Sequence, residues 1–347
     1  MNVKKYLLYP VNIPILFLSI LVVCAGIGVI LGFKRCKRHF VFHELLHPVR
    51  DAYQRIPSYK YLFAQTPKDV SHEVDQLNKH GIVHIKNFFA PDQLARIQAE
   101  FEQFIQVIQK QPDTIDDNGA GFTEDFFSKK EQAYYTTNPF KYSRELVDSC
   151  CNTKLTGIVN HYLQSNGYIY RAGGARILPK PDTGFGSFQW HHDAWGKSLN
   201  VMFVLSDIGD GDQAMTYVMG SHKLRHSFEK FMRSRLTLDY CKERMDKTEI
   251  FTCKAKAGDI FIFDTNGVHS GNRTPGKARD TFIVSYSTDK THIWNFSLPG
   301  EYVKQYASQE NNPFARVIEQ QKNNQNGPLF PEISSWVDGV IQVNRWI

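Results

Sequence analysis

Between Tyr168 and Tyr286 the chain breaks into seven short β-rich runs: Tyr168–Arg171, Ala175–Leu178, Phe188–Ala194, Asn200–Leu205, Ala214–Val218, Asp259–Asp264 and Thr281–Tyr286. Glycine, proline and aspartate separate them. No such run buries itself alone, and their spacing predicts an antiparallel sandwich or barrel. A helix-rich insert, 223–250, interrupts the series. Upstream, "GIVHIKNFF" (Gly81 to Phe89) alternates like a strand. Pro91-Asp92 then opens a helix, with Leu94, Ile97, Phe101, Phe104, Ile105 and Ile108 at spacings of three and four. Residues 111–135 are polar and read as a loop. "RELVDSCCNTKLTGIVNHYL" is helical again, to about Leu163. The expected class is mainly β with flanking helices. The last sixty residues form an Asn/Gln-rich extension, 288–347, with no role legible in it.

The N-terminus is of another kind. Ile13 to Phe33 carries no charge, and this run makes roughly 30 Å of helix, enough to cross a bilayer core. A cleaved signal peptide is the rival reading, but its apolar core is shorter and a small-x-small site follows it. The expected order is a short flank 1–12, a transmembrane helix 13–33, a basic juxtamembrane segment 34–69 and an enzyme domain 70–347. Lys4 and Lys5 precede the span, while Lys34, Arg35, Lys37 and Arg38 follow it. The heavier positive flank is downstream, so a single-pass protein with a cytoplasmic domain is expected. These six cations equal the whole net charge of +6, and the remainder sums to zero. That gives no support for a nucleic-acid surface and fits a collar against anionic lipid, so no nucleic-acid partner is expected. Gly28 and Gly32 form one G-x-x-x-G, too little to assign an oligomer.

The six cysteines form no C-x-x-C pair, which excludes a zinc ribbon and fits a reducing compartment. "HELLH", His43 to His47, matches the zinc-protease pattern H-E-x-x-H, with Glu44 as its base. Pro48 follows at once and ends the helix. A polar face on an interfacial helix accounts for the same histidines.

A second constellation is more specific. In "FQWHHDAW", Phe188 to Trp195, residues two apart on a strand face one side. His191 and Asp193 then point together, with Gln189 and Trp195, while His192 points away with Trp190. One imidazole and one carboxylate are two-thirds of the 2-His-1-carboxylate set of non-haem iron. "GDIFIFDTNGVHSGN", Gly258 to Asn272, offers the third ligand as His269, after a turn and a strand. Arg279 opens the next strand, where a fixed guanidinium grips a carboxylate by two parallel hydrogen bonds. Arg273 and Lys277 compete for that role, but sit in a Pro275-Gly276 turn and should face solvent.

Over residues 75 to 290 the sequence resembles the phytanoyl-CoA dioxygenase family of iron(II)- and 2-oxoglutarate-dependent oxygenases. The likeness runs from "HGIVHIKNFFAPDQLARIQAEFEQF" through "QWHHDAW" and "GDQAMTYVMGSHK" to "GDIFIFDTNGVHSGNRT" and Arg279. Met219 stands where the family usually has proline. The resemblance implies a double-stranded β-helix, the jelly-roll of cupin-like proteins. It implies His191, Asp193 and His269 as iron ligands and Arg279 on the distal carboxylate of 2-oxoglutarate. Ser270 assists there, one residue short of the family spacing, and Gln189 is an inward candidate for cosubstrate contact. It also implies O2 as cosubstrate, succinate and carbon dioxide as products, and hydroxylation of an aliphatic C–H. A carboxylate at 193 fills the position that related halogenases leave open for chloride. Glycosylation at the triplet Asn272-Arg273-Thr274 would block such a site.

The sequence therefore predicts a membrane-anchored hydroxylase acting on a small-molecule or lipid-type substrate. A catalytically silent jelly-roll binding module and an HELLH protease are the alternatives.

Overall fold

The chain winds helices and strands in an order set by its hydrophobic periods. The computed structural model describes residues 55–110, 127–128, 133–136, 138–179, 189–193, 197–224, 238–272, 274–288, 298–306 and 311–325. The apolar run 13–33 and HELLH at 43–47 lie outside the described residues. Among the described residues, no helix is long and apolar enough to cross a membrane.

Helix α1, Lys68–His80, buries Val70, Val74 and Leu77 along one stripe. It stops at Gly81, whose φ of 79° lets its N–H return to Leu77 O at 2.9 Å. Strand β1 is Ile82–Ile85 and helix α2 is Pro91–Lys110. Ile97, Phe101, Phe104, Ile105 and Ile108 of α2 are buried, as their spacing predicts. Two short strands follow, β2 (Phe127–Ser128) and β3 (Ala133–Thr136), within the stretch expected as loop. The helix expected to run to Leu163 is two helices, α3 (Arg144–Cys150) and α4 (Thr153–Leu163). The break is chemical: the Asn152 side chain caps α4 by accepting from Leu155 N at 3.1 Å.

Strand β4, Tyr168–Ile177, replaces two expected strands with one. Gly173 and Gly174 interrupt the pattern in sequence, yet both stay in the strand because aromatic rings lie against them. A β-carbon on Gly173 would stand 2.8 Å from Tyr135 Oη, and one on Gly174 would stand 2.8 Å from Phe282 Cε1. Then come β5 (Ser198–Val204), β6 (Thr216–Val218), α5 (Leu238–Lys242), β7 (Ile250–Thr252), β8 (Ile260–Asp264), β9 (His269–Ser270) and β10 (Arg279–Ser287). Of the expected insert 223–250, the described part carries only α5, and its end passes into β7. The C-terminal extension contributes α6 (Gly300–Tyr306) and α7 (Ala315–Gln325).

Among the described residues all strand pairings are antiparallel. The major sheet has the order β1-β8-β5-β10-β4-β3-β2, and the minor sheet β7-β6-β9. Along the central strands, alternate residues serve two cores. Leu199, Val201, Phe203, Ile260, Ile262, Phe282 and Val284 join Ile97, Phe101, Leu155 and Phe314 in a helix-facing core. The C-terminal extension completes this core through Leu298, Tyr302, Tyr306, Phe314 and Ile318. Met202, Val204, Phe261 and Phe263 turn the other way and meet Met215, Tyr217 and Cys253 in a second core. A fully buried aromatic side chain contributes about 1.5–3 kcal/mol, so the two layers hold the sheets firmly.

The turn before β8 ties this frame together. Gly258 has a φ of 98°, and its carbonyl accepts from Phe88 N and Phe89 N at 2.9 and 3.2 Å. The Asp259 carboxylate accepts from Asn87 N and Lys256 N and meets His84 Nε2 at 2.8 Å. Asp259 is thus a structural clamp.

Candidate active site

Within the expected strand Phe188–Ala194, the described residues 189–193 do not form a regular strand. Phe188 and Ala194 lie outside the described residues, and within 189–193 only His191 is sheet-paired, through an isolated bridge to His269. The bridge is complete: His191 N donates to His269 O at 2.9 Å, and His269 N donates to His191 O at 2.8 Å. Asp193 N then donates to Thr265 O at 2.9 Å. These backbone bonds preserve the alternation of an extended chain. His191 and Asp193 face one side, whereas His192 is fully buried and takes no part in the cluster.

The three expected ligands come together. One donor atom from each of His191, Asp193 and His269 lies within 4.8 Å of the others, and no other such group occurs among the described residues. His191 Nε2 is 3.2 Å from Asp193 Oδ1, and His269 Nε2 is 3.6 Å from Asp193 Oδ2. Two bonds of about 2.0–2.2 Å meeting near a right angle place donors roughly 3 Å apart, so a metal ion fits. The ring tautomers agree with this. His191 Nδ1 donates to Gln189 O at 2.7 Å, and His269 Nδ1 donates to Gly267 O at 2.9 Å. A carbonyl only accepts, so each Nδ1 carries the proton and each Nε2 offers its lone pair to the centre.

Burial pushes the Asp193 carboxyl up, but His269 and His191 outweigh it and hold the group well below the usual carboxylate range. Asp193 Oδ2 also accepts from Asn200 Nδ2 at 3.2 Å, and Asn200 Oδ1 accepts from Ser285 Oγ at 2.6 Å. Behind His269, the Tyr217 ring lies parallel to the imidazole, centroids 6.3 Å apart. The Tyr217 hydroxyl donates to Asp264 O at 3.0 Å, and its ring leaves no room for a β-carbon at Gly267.

Arg279 is buried, and its Nη1 donates to Gln213 O at 2.7 Å. The Gln213 amide in turn donates to Thr274 O, which fixes the loop after His269. Lys277 is exposed, as expected, and Arg273 lies outside the described residues. Ser270 follows His269 in β9 and so projects to the opposite face. Its hydroxyl donates to Asn272 Oδ1 at 3.3 Å, while Asn272 Nδ2 donates to Thr216 Oγ1 at 3.2 Å. The amide that a glycan would need is therefore engaged. Gln189 contributes its backbone carbonyl to His191.

Sequence reasoning missed Asn200, Ser285, Gln213 and Tyr217. A signal for the first two existed: each is a polar residue at the inward position of an otherwise apolar, period-two strand.

A sequence model of the family described as Phytanoyl-CoA dioxygenase (PhyH) matches residues 77–280. An ectoine dioxygenase from Stutzerimonas stutzeri (strain A1501) is 23% identical over 243 residues, 62% of this chain and 76% of that protein. Among solved structures, EctD from S. alaskensis with bound Fe aligns with a TM-score of 0.51 at 14% identity, covering 65% of this chain and 80% of that one. A second structure, EctD from S. alaskensis with 2-oxoglutarate and 5-hydroxyectoine, aligns at 0.48 and 15% identity, over 68% and 83% of the two chains.

Proposed function

The chain belongs to the phytanoyl-CoA dioxygenase family, and from that premise we propose that it is a membrane-anchored hydroxylase of an aliphatic C–H in a small-molecule or lipid-type substrate. The enzyme is an iron- and 2-oxoglutarate-dependent dioxygenase. One observation carries the reading: three donors converge while both imidazoles turn their protonated nitrogens back to backbone carbonyls. A binding module has no need of that arrangement. The double-stranded β-helix is the reading of the two facing sheets.

His191, Asp193 and His269 hold the metal in this reading. Iron(II), when bound, supplies oxygen activation coupled to decarboxylation of 2-oxoglutarate to succinate. The chain prepares the rest. Asn200 holds one oxygen of Asp193, which fixes the carboxylate plane. Tyr217 and Gly267 set the His269 ring. Arg279, steadied by Gln213, pairs with the distal carboxylate of 2-oxoglutarate by charge-assisted hydrogen bonds. Gln189 acts through its carbonyl on His191, and Ser270 acts through Asn272. The apolar wall of Met202, Val204, Phe261 and Phe263 keeps water from the inner space. The ectoine dioxygenase relative supports a small substrate. The uncharged run Ile13–Phe33 and its basic flanks support the anchor, with the domain on the cytoplasmic side.

The test is spectroscopic and needs no substrate. Full-length protein in detergent receives iron(II) and 2-oxoglutarate without oxygen. A visible charge-transfer band is expected, lost in Arg279→Ala and in His269→Ala. A folded protein without the band would bring the silent binding module forward. Alkaline extraction tests the anchor: the protein stays with membranes, and removal of residues 1–33 frees it.

A further inference from the structure

The turn between β8 and β9 supports two of the three metal donors. Asp193 N donates to Thr265 O at 2.9 Å, and His269 Nδ1 donates to Gly267 O at 2.9 Å. Whatever fixes residues 264–267 therefore fixes the metal centre. Ile260 and Ile262 of β8 face the helices, and the period of two sends the Asp264 side chain the same way. Asp264 is buried there. A buried carboxylate is costly unless its oxygens are hydrogen-bonded, and both are. Oδ1 accepts from Asn266 N at 2.8 Å and from Asn266 Nδ2 at 2.9 Å. Oδ2 accepts from the Tyr162 hydroxyl of α4 at 2.5 Å.

An aspartate bonded to the N–H two residues on is a common turn device, and by itself it explains only the turn. Tyr162 adds a tie to the helix layer. Burial and the neighbouring Asp264 carboxylate push its hydroxyl well above the usual range, so it stays protonated and donates. The main chain of Asp264 is held too. Its N–H donates to Gly81 O at the end of α1 at 2.8 Å, and its carbonyl accepts from Gly267 N and from the Tyr217 hydroxyl, both at 3.0 Å. Tyr217 is the residue whose ring backs His269. Thr265 N donates to Ser198 O at 3.2 Å, and the two hydroxyls of this pair meet. The Asp264 carboxylate reaches past Thr265 to Asn266, beyond the end of β8, and braces the part of the turn that carries Gly267 O.

We propose that the Asp264 carboxylate and the Tyr162 hydroxyl are positioning groups of the metal centre: together they fix the turn 264–267, whose carbonyls aim His269 and place Asp193. Helix α4 thereby sets how tightly the metal is held, although none of its residues is a ligand. This rests on the function proposed above. It assigns two residues to that function that touch neither metal nor cosubstrate.

The experiment compares two buried tyrosines. Tyr286 is also fully buried and donates its hydroxyl to Cys150 O at 3.4 Å, but it has no tie to the turn. Metal-free full-length protein in detergent, with 2-oxoglutarate and without oxygen, is titrated with iron(II). The readouts are the half-saturation for iron(II) and the energy of the charge-transfer band, with thermal unfolding of the metal-free protein measured beside them. Loss of an outer hydrogen-bonding partner weakens metal binding by about tenfold or more, so Tyr162→Phe is expected to raise the half-saturation about tenfold and to move the band. Tyr286→Phe lowers thermal stability and leaves both readouts unchanged. Asp264→Ala weakens iron(II) binding further than Tyr162→Phe. Asp264→Asn, whose amide oxygen still accepts from Asn266, recovers part of that loss. Should Asp264→Ala fail to fold, the two tyrosine variants carry the comparison. An unchanged half-saturation and band in Tyr162→Phe, whatever its thermal stability, overturns the proposal and leaves the pair a packing device. Equal losses in Tyr162→Phe and Tyr286→Phe also overturn it. A native protein without any band overturns the proposal together with the reading beneath it, whereas a normal native band that Tyr162→Phe does not alter overturns this proposal alone.

Discussion

Strand β10 has two faces with different duties. Outward, Phe282, Val284 and Tyr286 are fully buried against helices. Inward, Arg279, Thr281, Ile283 and Ser285 line the space between the sheets, and two of these four carry the polar chemistry of the site. One strand thus holds the molecule together with its even-numbered residues and equips it with its odd-numbered ones. The period of two makes the separation clean: a change on one face leaves the other in place.

Substitutions can break that separation or sharpen it. The largest effect is expected at the metal centre. His191→Ala or His269→Ala removes a donor, and iron content and turnover fall below detection. His192→Ala keeps iron by metal analysis, and the reverse pattern would sink the facing argument. Next comes the outward face. Phe282→Ala costs about 3–5 kcal/mol in denaturant unfolding, with the charge-transfer band intact in the folded fraction. A lost band there would mean that the two faces are coupled. Arg279→Lys surrenders part of a charge-assisted pair worth about 1.5–3 kcal/mol, so the half-saturation for 2-oxoglutarate rises by up to roughly 100-fold. Ser285→Ala strips Asn200 of its donor and costs about 1–3 kcal/mol, with a weaker hold on iron as its signature.

The effect that leaves both faces untouched lies beyond them, just before β5. Burial pulls Lys197 down from 10.5 to about 8, with Arg55 adding to this and Asp264 opposing it. Between these values the unfolded chain keeps a proton that the folded chain has released, so stability rises with pH from about 8 to 10.5. Lys197→Met abolishes that rise, and below pH 8 the variant is the more stable protein. Thermal unfolding across this window measures both.

Legibility in the sequence followed the range of the interaction. Helix α2 could be read because its buried residues recur every three or four positions. His191 and Asp193 could be read because their facing depends on a spacing of two. His269 could be read from the strand and turn before it. The break at Asn152 carried a capping signal that the apolar pattern masked. The Gly173-Gly174 pair reads as an interruption because the rings that accept it, Tyr135 and Phe282, are distant in sequence. The meeting of Ser285 and Asn200 is set by register between strands, which no local pattern encodes. The apolar run 13–33 and HELLH at 43–47 lie outside the described residues.

The His191–His269 bridge has a consequence for divergence. Two of the three donors meet because their own backbones exchange hydrogen bonds, so their geometry is written in main-chain atoms. The loops between the intervening strands can lengthen, shorten or change their chemistry without moving the metal, provided the two histidines still meet and Asp193, Asn200 and Tyr217 keep their places. A slip of one residue at that meeting would turn an imidazole to the wrong side. Descendants of such a chain can therefore change the molecules they accept while keeping one reaction. The tolerance is wide everywhere along the intervening loops and close to zero at a single pair of peptide groups.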